Sequence, residues 1–283
     1  MPSSPIDGDA LLSAFIEIAL RAGRAILDVY ARPDFAQRAK SDGSPVTEAD
    51  QAAEALILAA LRTLYPDVPV VAEEEAAAGR VPECGNRFFL VDPLDGTKEF
   101  LNRNGDFTVN IALIEDGAPT HGVVYAPAHD RLYAGGRGGA RAGKVVDGQM
   151  REWTPIQVRT PPKLGLDVVA SRSHMSAETG DFIDRFKVAS LVSAGSSLKF
   201  CLVAEARADL YPRLGRTMEW DTAAGDAVLR AAGGGVWTMD GQPLRYGKKR
   251  QADEADFANP WFIAASSNPF AAGTPVALSA KSS

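Results

Sequence analysis

Two aspartates separated by two residues form the most informative pattern of this chain, in the stretch Leu90-Val91-Asp92-Pro93-Leu94-Asp95-Gly96-Thr97. An apolar strand pattern ends at Asp92, and Pro93 fixes the backbone φ angle of the turn that leads to Asp95. Such a turn can direct both carboxylates and the carbonyl oxygen of Leu94 towards one point. Oxygen ligands of this kind suit Mg²⁺ rather than Zn²⁺. The alternative is a turn without any ligand, because Asp, Pro and Gly are common in β-turns.

The spacing of the two aspartates argues against one kind of covalent catalysis. Haloacid-dehalogenase-like phosphatases carry the pattern Asp-x-Asp-Gly-Thr, in which the first aspartate is the nucleophile. Here two residues, Pro93 and Leu94, separate the aspartates. A mechanism through an aspartyl-phosphate is therefore rejected.

Three more acids stand at the borders of predicted elements. Glu73 and Glu74 directly follow a short apolar strand pattern over residues 68–72, where a run of acids is also typical of a solvated surface. Asp221 precedes a segment rich in alanine and glycine, where its ordinary role is to cap a helix. Because small residues allow a neighbouring element to approach closely, this segment indicates a helix that packs against another element and not a free surface helix.

The elements that must position these acids follow from the apolar periodicity. Apolar residues recur at helical spacing over 11–30, and an alanine-rich helix is predicted over 47–65. A β-hairpin is predicted around Glu115-Asp116-Gly117. The second half alternates strands with helices, including helices over 196–207 and 221–232, which is typical of a layered α/β architecture.

Composition and charge exclude several classes of function. The 283 residues include 30 Lys and Arg against 36 Asp and Glu, a formal net charge of −6, which disfavours nucleic acid or an anionic membrane as a partner. No apolar run reaches the roughly 20 residues of a membrane span, and the first residues do not read as a signal peptide. Two cysteines are too few for a disulfide framework or a thiolate metal site. We therefore expect a cytoplasmic protein without a membrane span.

Together, the acidic motifs resemble those of the lithium-sensitive, Mg²⁺-dependent phosphatase superfamily of inositol monophosphatase and fructose-1,6-bisphosphatase. Three blocks stand in the order of that superfamily: Glu73-Glu74, residues 92–97, and Trp220-Asp221-Thr222-Ala223-Ala224-Gly225. Each block alone is a weak signal, whereas the three in order are a strong one. The resemblance implies a layered αβαβα sandwich of the α/β class.

The resemblance also implies a metal site and a mechanism. Two or three Mg²⁺ ions would be held by four carboxylates and one carbonyl oxygen, those of Glu73, Asp92, Leu94, Asp95 and Asp221. Thr97 with Asp50 would orient and deprotonate the attacking water, with support from Glu74. Gly96 and Thr97 would also offer backbone N–H groups to the phosphate. The implied chemistry is metal-assisted hydrolysis of a phosphate ester.

Other segments resemble the CysQ-type 3′(2′),5′-bisphosphate nucleotidases within that superfamily. These segments are Lys40 to Thr47, Asp95 to Phe100, Ser171 to His174, Gly195 to Cys201 and Ala208 to Arg213. A nucleoside bisphosphate carries a second phosphate, which needs cations and hydroxyl donors away from the metals. By resemblance, Ser196, Lys199 and Arg213 would hold that phosphate, and His174 would lie near the ribose or the base. Ser196 and Lys199 are three residues apart, which places them on one face of the predicted helix.

Single residues of this group also have ordinary interpretations. Taken alone, Lys199 is typical of an exposed helix lysine and His174 of a surface loop. These interpretations lose weight because the residues recur with the surrounding residues of the family.

A segment with three prolines, over residues 153–162, is the predicted boundary between two domains. We expect an N-terminal α+β domain over 1–155 with most of the metal ligands. A C-terminal α/β domain over 156–270 would carry Asp221 and the nucleotide-binding residues. Residues 271–283 are expected to form a disordered tail.

The sequence thus predicts a Mg²⁺-dependent enzyme that removes the 3′-phosphate of adenosine 3′,5′-bisphosphate to give AMP and phosphate. The 3′-phosphorylated sulfate donor, PAPS, is a further candidate substrate. One alternative is an inositol or sugar monophosphatase with the same metal site, which would not need Ser196, Lys199 and Arg213. An alternative of another class is a non-catalytic, metal-dependent nucleotide-binding protein, which would not need the water-activating pair Asp50 and Thr97. The oligomeric state stays open between a monomer and a homodimer.

Overall fold

Two long amphipathic helices pack side by side on the outside of the fold. The computed structural model describes residues 6–32, 45–171 and 176–271. Helix α1 spans Gly8–Tyr30, and the side chain of Asp7 accepts hydrogen bonds from the N–H groups of its first turn. Helix α2 spans Pro45–Leu64. The apolar stripes of α1 and α2 face each other and the first sheet, as their helical periodicity predicts.

Seven strands form the first sheet in chain order: β1 Val70–Ala72, β2 Arg87–Asp95, β3 Thr108–Glu115, β4 Ala118–Ala126, β5 Arg131–Gly136, β6 Gly139–Val146 and β7 Gln149–Ile156. Strand β1 runs parallel to β2, and all other neighbours are antiparallel. The predicted hairpin at residues 115–117 joins β3 to β4 and is confirmed. Two short helices, α3 at Glu73–Ala77 and α4 at Thr97–Leu101, follow β1 and β2.

Five strands form the second sheet: β8 Leu166–Ser171, β9 Val188–Ala194, β10 Leu210–Arg213, β11 Gly235–Thr238 and β12 Phe262–Ala265. Their order is β11-β12-β10-β8-β9, in which β8 is parallel to β9 and β10, and β12 is antiparallel to its neighbours. Three helices accompany them: α5 Ala177–Ile183, α6 Leu198–Ala204 and α7 Ala223–Ala231.

Alternating side chains of β2 divide the core into two. Phe89 and Val91 face α1 and α2, whereas Phe88 and Leu90 face α6 and α7. Helices α6 and α7 also contact the second sheet, and α5 covers the other face of that sheet. The layers are therefore α1 and α2, first sheet, α6 and α7, second sheet, α5. This order confirms the αβαβα sandwich predicted from the sequence.

The two sheets lie on the two sides of the predicted domain boundary. The first sheet ends at Ile156 and the second begins at Leu166. The division of the chain into two domains stays a prediction, and the predicted tail lies outside the described residues from position 272 onwards. Among the helices that the structure describes, none combines the length and the apolar character needed to cross a bilayer.

Two glycines let α7 lie directly against the first sheet. A Cβ on Gly122 of β4 would lie 2.7 Å from the Cβ of Ala227 and 2.8 Å from the carbonyl oxygen of Ala224. A Cβ on Gly135 of β5 would lie 2.6 Å from the Cα of Val228. These neighbours belong to the helix backbone or to a short side chain, so they can move only if the whole helix moves.

We expect Gly122→Ala to lower the free energy of unfolding by about 1–3 kcal/mol, because the added methyl group pushes α7 away from the sheet. Urea denaturation followed by far-UV circular dichroism measures this change. Gly138→Ala is the matched control, since a Cβ at Gly138 meets nothing within 4 Å. Equal stability of the two variants would contradict the close contact between α7 and the sheet.

Candidate active site

An irregularity in β2 brings Asp92 and Asp95 to the same face of the first sheet. Residues three apart on a regular strand point to opposite faces. Here the register shifts, so that Asp92 lies opposite Asn110 and Asp95 lies opposite Thr108 on β3. Opposed residues share a face, and two residues of β3 that are two apart also share one. Pro93, which has no N–H for the ladder, lies in the inserted stretch.

The charges of four other carboxylates act on Asp92 at this bulge, those of Glu73, Asp95, Asp221 and Asp50. Burial is the largest cause that raises the pKa of Asp50 to about 9, that of Glu73 to about 7 and that of Asp221 to about 8. Burial also raises the pKa of Asp92 well above its usual range, and the charges of the other four carboxylates add to that shift. The pKa of Asp95 is raised by burial as well. The structure thus brings these predicted residues into one acidic cluster.

The cluster offers oxygen ligands of the kind that a hard cation prefers, although its side chains are not arranged as a complete coordination sphere. Among the described residues, no three His, Cys, Asp or Glu side chains are grouped closely enough to form a ready-made metal site. The predicted set also includes a main-chain oxygen, that of Leu94, and every donor in it is oxygen, which is the ligand type of Mg²⁺. One buried oxygen of the cluster, Oδ1 of Asp50, has no hydrogen-bond partner in the described part of the chain. By donor type the residues fit a divalent cation.

Main-chain N–H groups hold two of the aspartates. The Leu94 N–H donates to Oδ1 of Asp92 over 3.1 Å, and the Met218 N–H donates to Oδ2 of Asp221 over 2.8 Å. The helix predicted over 221–232 begins at Ala223, so Asp221 lies before α7 and its side chain is bound to Met218 instead of capping the helix. Its carboxylate is therefore fixed by the turn that precedes α7.

A chain of hydrogen bonds links Asp95 to Asp221 across the layers of the fold. Asn110 on β3 donates from Nδ2 to Oδ2 of Asp95 over 3.4 Å and to Oγ of Ser197 over 3.0 Å. The Ser197 hydroxyl donates to the carbonyl oxygen of Asp221 over 2.8 Å. Neither Asn110 nor Ser197 was predicted as a site residue, because their contact joins residues 87 positions apart.

Glu54 on α2 binds the main-chain N–H groups of two of the three glutamates of α3, Glu74 and Glu75, and it was not predicted from the sequence. It is 5% exposed, and its carboxylate accepts hydrogen bonds from the N–H of Glu74 over 2.9 Å and from the N–H of Glu75 over 3.0 Å. A carboxylate at this position satisfies the free N–H groups at the start of α3, where Glu73 is the first residue. The available sequence signal was the four-residue spacing from Asp50, which places both acids on one helix face.

A cavity of about 330 Å³ joins part of the acidic cluster to the predicted substrate-binding residues. The predicted residues that line it are Asp95, Gly96, Thr97, Ser196, Lys199, Arg213 and Asp221. Tyr211 and Arg216 line it as well and are not among the predicted residues. His174, predicted near the ribose or base, lies outside the described residues. Glu73, Glu74, Asp92 and Asp50 are not among the lining residues of this cavity.

Lys199 is a buried lysine of the cavity wall rather than an exposed helix lysine. It is 5% exposed, its Nζ donates to the Ser196 carbonyl oxygen over 2.5 Å, and it lies 5.3 Å from the centre of the Tyr211 ring. Burial lowers the pKa of Lys199 to about 8, and the charge of Asp95 opposes this shift. The ammonium group is therefore held in a fixed position beside the acidic cluster.

Ser196 precedes α6 instead of belonging to it. Its φ angle of 45° lies in the left-handed region, and α6 begins only at Leu198. The prediction that Ser196 and Lys199 share a helix face is therefore wrong, although both line the same cavity. The Ser196 hydroxyl and Nε of Arg213 are buried without a hydrogen-bond partner among the described residues. Two such donors in one cavity wall suit a ligand that brings acceptor oxygens, such as a phosphate.

Comparison with known proteins gives concordant results. The family model described as "Inositol monophosphatase family" matches residues 7–268. The chain is 47% identical over 255 residues to the protein of Escherichia coli K12 named 3′(2′),5′-bisphosphate nucleotidase CysQ, which covers 89% of this chain and 98% of that protein. It is 48% identical over 257 residues to the protein of the same name from Salmonella typhimurium, with the same two coverages.

Solved structures of related proteins have the same fold. The crystal structure of CysQ from Bacteroides thetaiotaomicron, described as a bacterial member of the inositol monophosphatase family, has a TM-score of 0.76 at 38% identity and covers 90% of this chain and 97% of its own. The structure of inositol monophosphatase from Anabaena has a TM-score of 0.70 at 26% identity and covers 92% of each chain.

In EDTA, we expect the protein to lose stability as the pH rises from about 4 to about 9. Asp50, Glu73 and Asp221 have a higher pKa in the folded protein than in the unfolded chain, so the folded state keeps protons that the unfolded state releases. Asp50→Asn replaces one of these ionisable groups by a neutral amide and should raise the free energy of unfolding at pH 8 on the order of 2 kcal/mol more than at pH 4.5, because the unfolded chain no longer gains stability by releasing that proton. Urea midpoints at the two pH values measure the difference.

Asp253→Asn, at an exposed position, is the control for this measurement and should leave the pH dependence unchanged. If the free energy of unfolding had the same pH dependence in Asp50→Asn, in Asp253→Asn and in the unmodified protein, the pKa of Asp50 would not be raised by the cluster.

Proposed function

The chain belongs to the inositol monophosphatase family, and on this premise we propose that it is a nucleotidase that removes the 3′-phosphate of adenosine 3′,5′-bisphosphate. The products would be AMP and inorganic phosphate. One observation carries the proposal: a single cavity has the carboxylates of Asp95 and Asp221 and, in the same wall, the unpartnered donors of Ser196 and Arg213. A substrate with one phosphate to cleave and another to hold would use both groups.

The second phosphate is the part of the substrate that a monophosphatase does not need to bind. In our proposal, the Ser196 hydroxyl, the Lys199 ammonium and the Arg213 guanidinium hold it. A hydroxyl donor, a compact charge and a planar fork complement the oxygens of a phosphate. Support comes from the burial of Lys199 and from the two donors that lack protein partners. The predicted contact of His174 with the ribose or base stays a prediction.

We further propose that two or three Mg²⁺ ions bind at the acidic cluster through the carboxylates of Glu73, Asp92, Asp95 and Asp221 and the carbonyl oxygen of Leu94. When bound, Mg²⁺ lowers the pKa of a water molecule and stabilises charge on the phosphate and on the leaving oxygen. The all-oxygen donor set and the mutual repulsion of its carboxylates support this proposal, because a cation would relieve that repulsion.

Asp50, Thr97 and Glu74 have the proposed catalytic roles. The Thr97 hydroxyl and the Asp50 carboxylate orient the attacking water, and Asp50 takes up its proton. The water oxygen forms a bond to phosphorus while the bond from phosphorus to the ribose 3′-oxygen breaks. That oxygen takes a proton from solvent water as AMP leaves, and Asp50 later releases its proton to solvent. Glu74, oriented through Glu54, supports the water from α3.

The cytoplasmic location expected from the composition stays a prediction, and the family resemblance further implies a role in clearing a by-product of sulfate activation. The same holds for sensitivity to lithium and for PAPS as a substrate.

We expect Mg²⁺-dependent phosphate release, with kcat/KM for adenosine 3′,5′-bisphosphate about 100-fold or more above that for inositol 1-phosphate or fructose 1,6-bisphosphate. This ratio corresponds to about 2.7 kcal/mol at the transition state. EDTA should abolish phosphate release from all substrates, PAPS included, and added Mg²⁺ should restore it.

Asp95→Asn should abolish turnover without unfolding the protein. Full activity of Asp95→Asn would contradict the proposed metal site, and a preference for inositol 1-phosphate would contradict the second-phosphate pocket.

Arg213→Ala should raise KM for adenosine 3′,5′-bisphosphate about 10- to 100-fold, because it removes a charged donor from the second phosphate. For adenosine 3′-monophosphate, which lacks that phosphate, kcat/KM should change by less than about threefold. Steady-state kinetics with both substrates measure this difference in the effect of Arg213→Ala on KM and kcat/KM. Arg207→Ala is the control, since Arg207 is exposed and pairs with Glu205 outside the cavity. An equal loss with both substrates would rule out the proposed role of Arg213.

A further inference from the structure

Asp106 lies between the active-site cavity and a second cavity of the protein. It is 8% exposed, and its Oδ2 accepts a hydrogen bond from the Gly195 N–H over 3.0 Å. Its Oδ1 lies 2.9 Å from Nε2 of His129. Asp106 and His129 both line the second cavity, of about 550 Å³, while Ser196, next to Gly195, lines the active-site cavity. A single carboxylate therefore connects the two cavity walls.

The turn at Gly195 and Ser196 needs such an external support. Ser196 has a positive φ of 45°, which is unfavourable for any residue other than glycine and persists only when the surroundings hold it. Gly195 is packed so closely that a Cβ there would lie 2.5 Å from Cγ of Glu99 and 2.7 Å from Cβ of Asp106. Asp106 satisfies the buried Gly195 N–H with a charge-assisted hydrogen bond.

This turn sets two of the groups proposed to hold the second phosphate. The Ser196 hydroxyl belongs to the turn itself, and the Lys199 ammonium donates to the Ser196 carbonyl oxygen. The carboxylate of Asp106 also acts on Lys199 electrostatically, together with Asp95 and Glu99. The position of Asp106 is in turn determined by His129, whose side chain is 43% exposed at the second cavity.

We propose that Asp106, oriented by His129, is the positioning residue of the second-phosphate pocket and determines the preference for a nucleoside bisphosphate over a monophosphate. The inference rests on the proposed function. Asp106 does not line the active-site cavity, so it acts through the turn at Gly195 and Ser196 and not on the substrate. Loss of its carboxylate would leave a buried N–H group without a partner, and the turn would relax away from its strained conformation.

The substrate pair in the test isolates the second phosphate. Adenosine 3′,5′-bisphosphate and adenosine 3′-monophosphate have the same scissile bond and differ in the 5′-phosphate alone. In Asp106→Ala, we expect the ratio of their kcat/KM values to fall about tenfold or more, through a higher KM for the bisphosphate. Turnover of the monophosphate should stay within about threefold of the unmodified protein.

Conservative and control variants separate positioning from a general loss of structure. In Asp106→Asn, the side-chain oxygen can still accept from the Gly195 N–H and the amide can donate to Nε2 of His129, so most of the ratio should be retained. His129→Ala should lower the ratio less than Asp106→Ala. Asp256→Ala is the matched control, because Asp256 accepts a hydrogen bond from the Arg250 N–H over 2.6 Å in a loop that does not line the cavity. Its ratio should be unchanged.

A binding measurement without turnover completes the design. Isothermal titration with AMP, which carries the 5′-phosphate, and with adenosine, which does not, should show about tenfold weaker AMP binding in Asp106→Ala and unchanged adenosine binding. If Asp106→Ala does not fold, His129→Ala decides. A lower ratio in that variant would support the positioning role, and an unchanged ratio or an equal loss with both substrates would overturn it.

The failure of this inference is distinguishable from failure of the proposed function. An unmodified protein that does not prefer the bisphosphate to the monophosphate would overturn the proposed function itself. An unmodified protein with that preference, together with an unchanged ratio in Asp106→Ala, would overturn the role of Asp106 alone.

Discussion

The mutual repulsion of buried carboxylates is the constraint on which the arrangement of this molecule depends. Removing several like charges from water into one region costs several kcal/mol per group, and their repulsion adds to that cost. The chain opposes it locally with oriented donors: Leu94 and Met218 supply main-chain N–H groups, and Asn110 supplies its side-chain amide. On one side of the cluster, the ammonium group of Lys199 adds an opposite charge.

The burial of apolar side chains stabilises the fold and offsets the free-energy cost of the buried carboxylates. The first sheet is covered on both faces, by α1 and α2 on one side and by α6 and α7 on the other. Strands held in this way cannot separate to let the acids relax, because close-packed side chains leave little room for movement. Asp92 and Asp95 therefore stay close together because the apolar side chains packed on both faces of the first sheet hold β2 in place. A strained site on a rigid scaffold is typical of enzymes, in which stability is traded for function.

The sequence revealed what is encoded locally. The hairpin at Asp116 and the alternation of strands and helices each depend on residues a few positions apart, and both are present in the structure. The strand predicted to end at Asp92 instead continues to Asp95, and the predicted turn is a bulge within it. Strand β9 was not predicted, because most of its residues are exposed and its apolar pattern is weak at the edge of the sheet.

Contacts between distant segments account for the parts of the site that were not predicted. Glu54 acts on residues 20 and 21 positions away, and the burial of Lys199 results from packing against Tyr211 and neighbouring elements. The spacing of Glu54 from Asp50 marks an acidic helix face, but no local pattern indicates which distant residues such a face contacts, since these pairings depend on the completed fold. The left-handed conformation of Ser196 is likewise imposed by its surroundings rather than by its residue type.

The hydrogen bonds from Asn110 to Ser197 and from Ser197 to Asp221 have an evolutionary consequence. A change at Asn110 would remove the donor to the Ser197 hydroxyl oxygen, although that hydroxyl could still donate to the carbonyl oxygen of Asp221, so a change at one position alters the hydrogen bonding of the other. Natural selection would therefore act on the two residues as one unit, although 87 positions separate them in the chain. Covariation of the two positions among homologues would report this contact between strand β3 and the segment before α6.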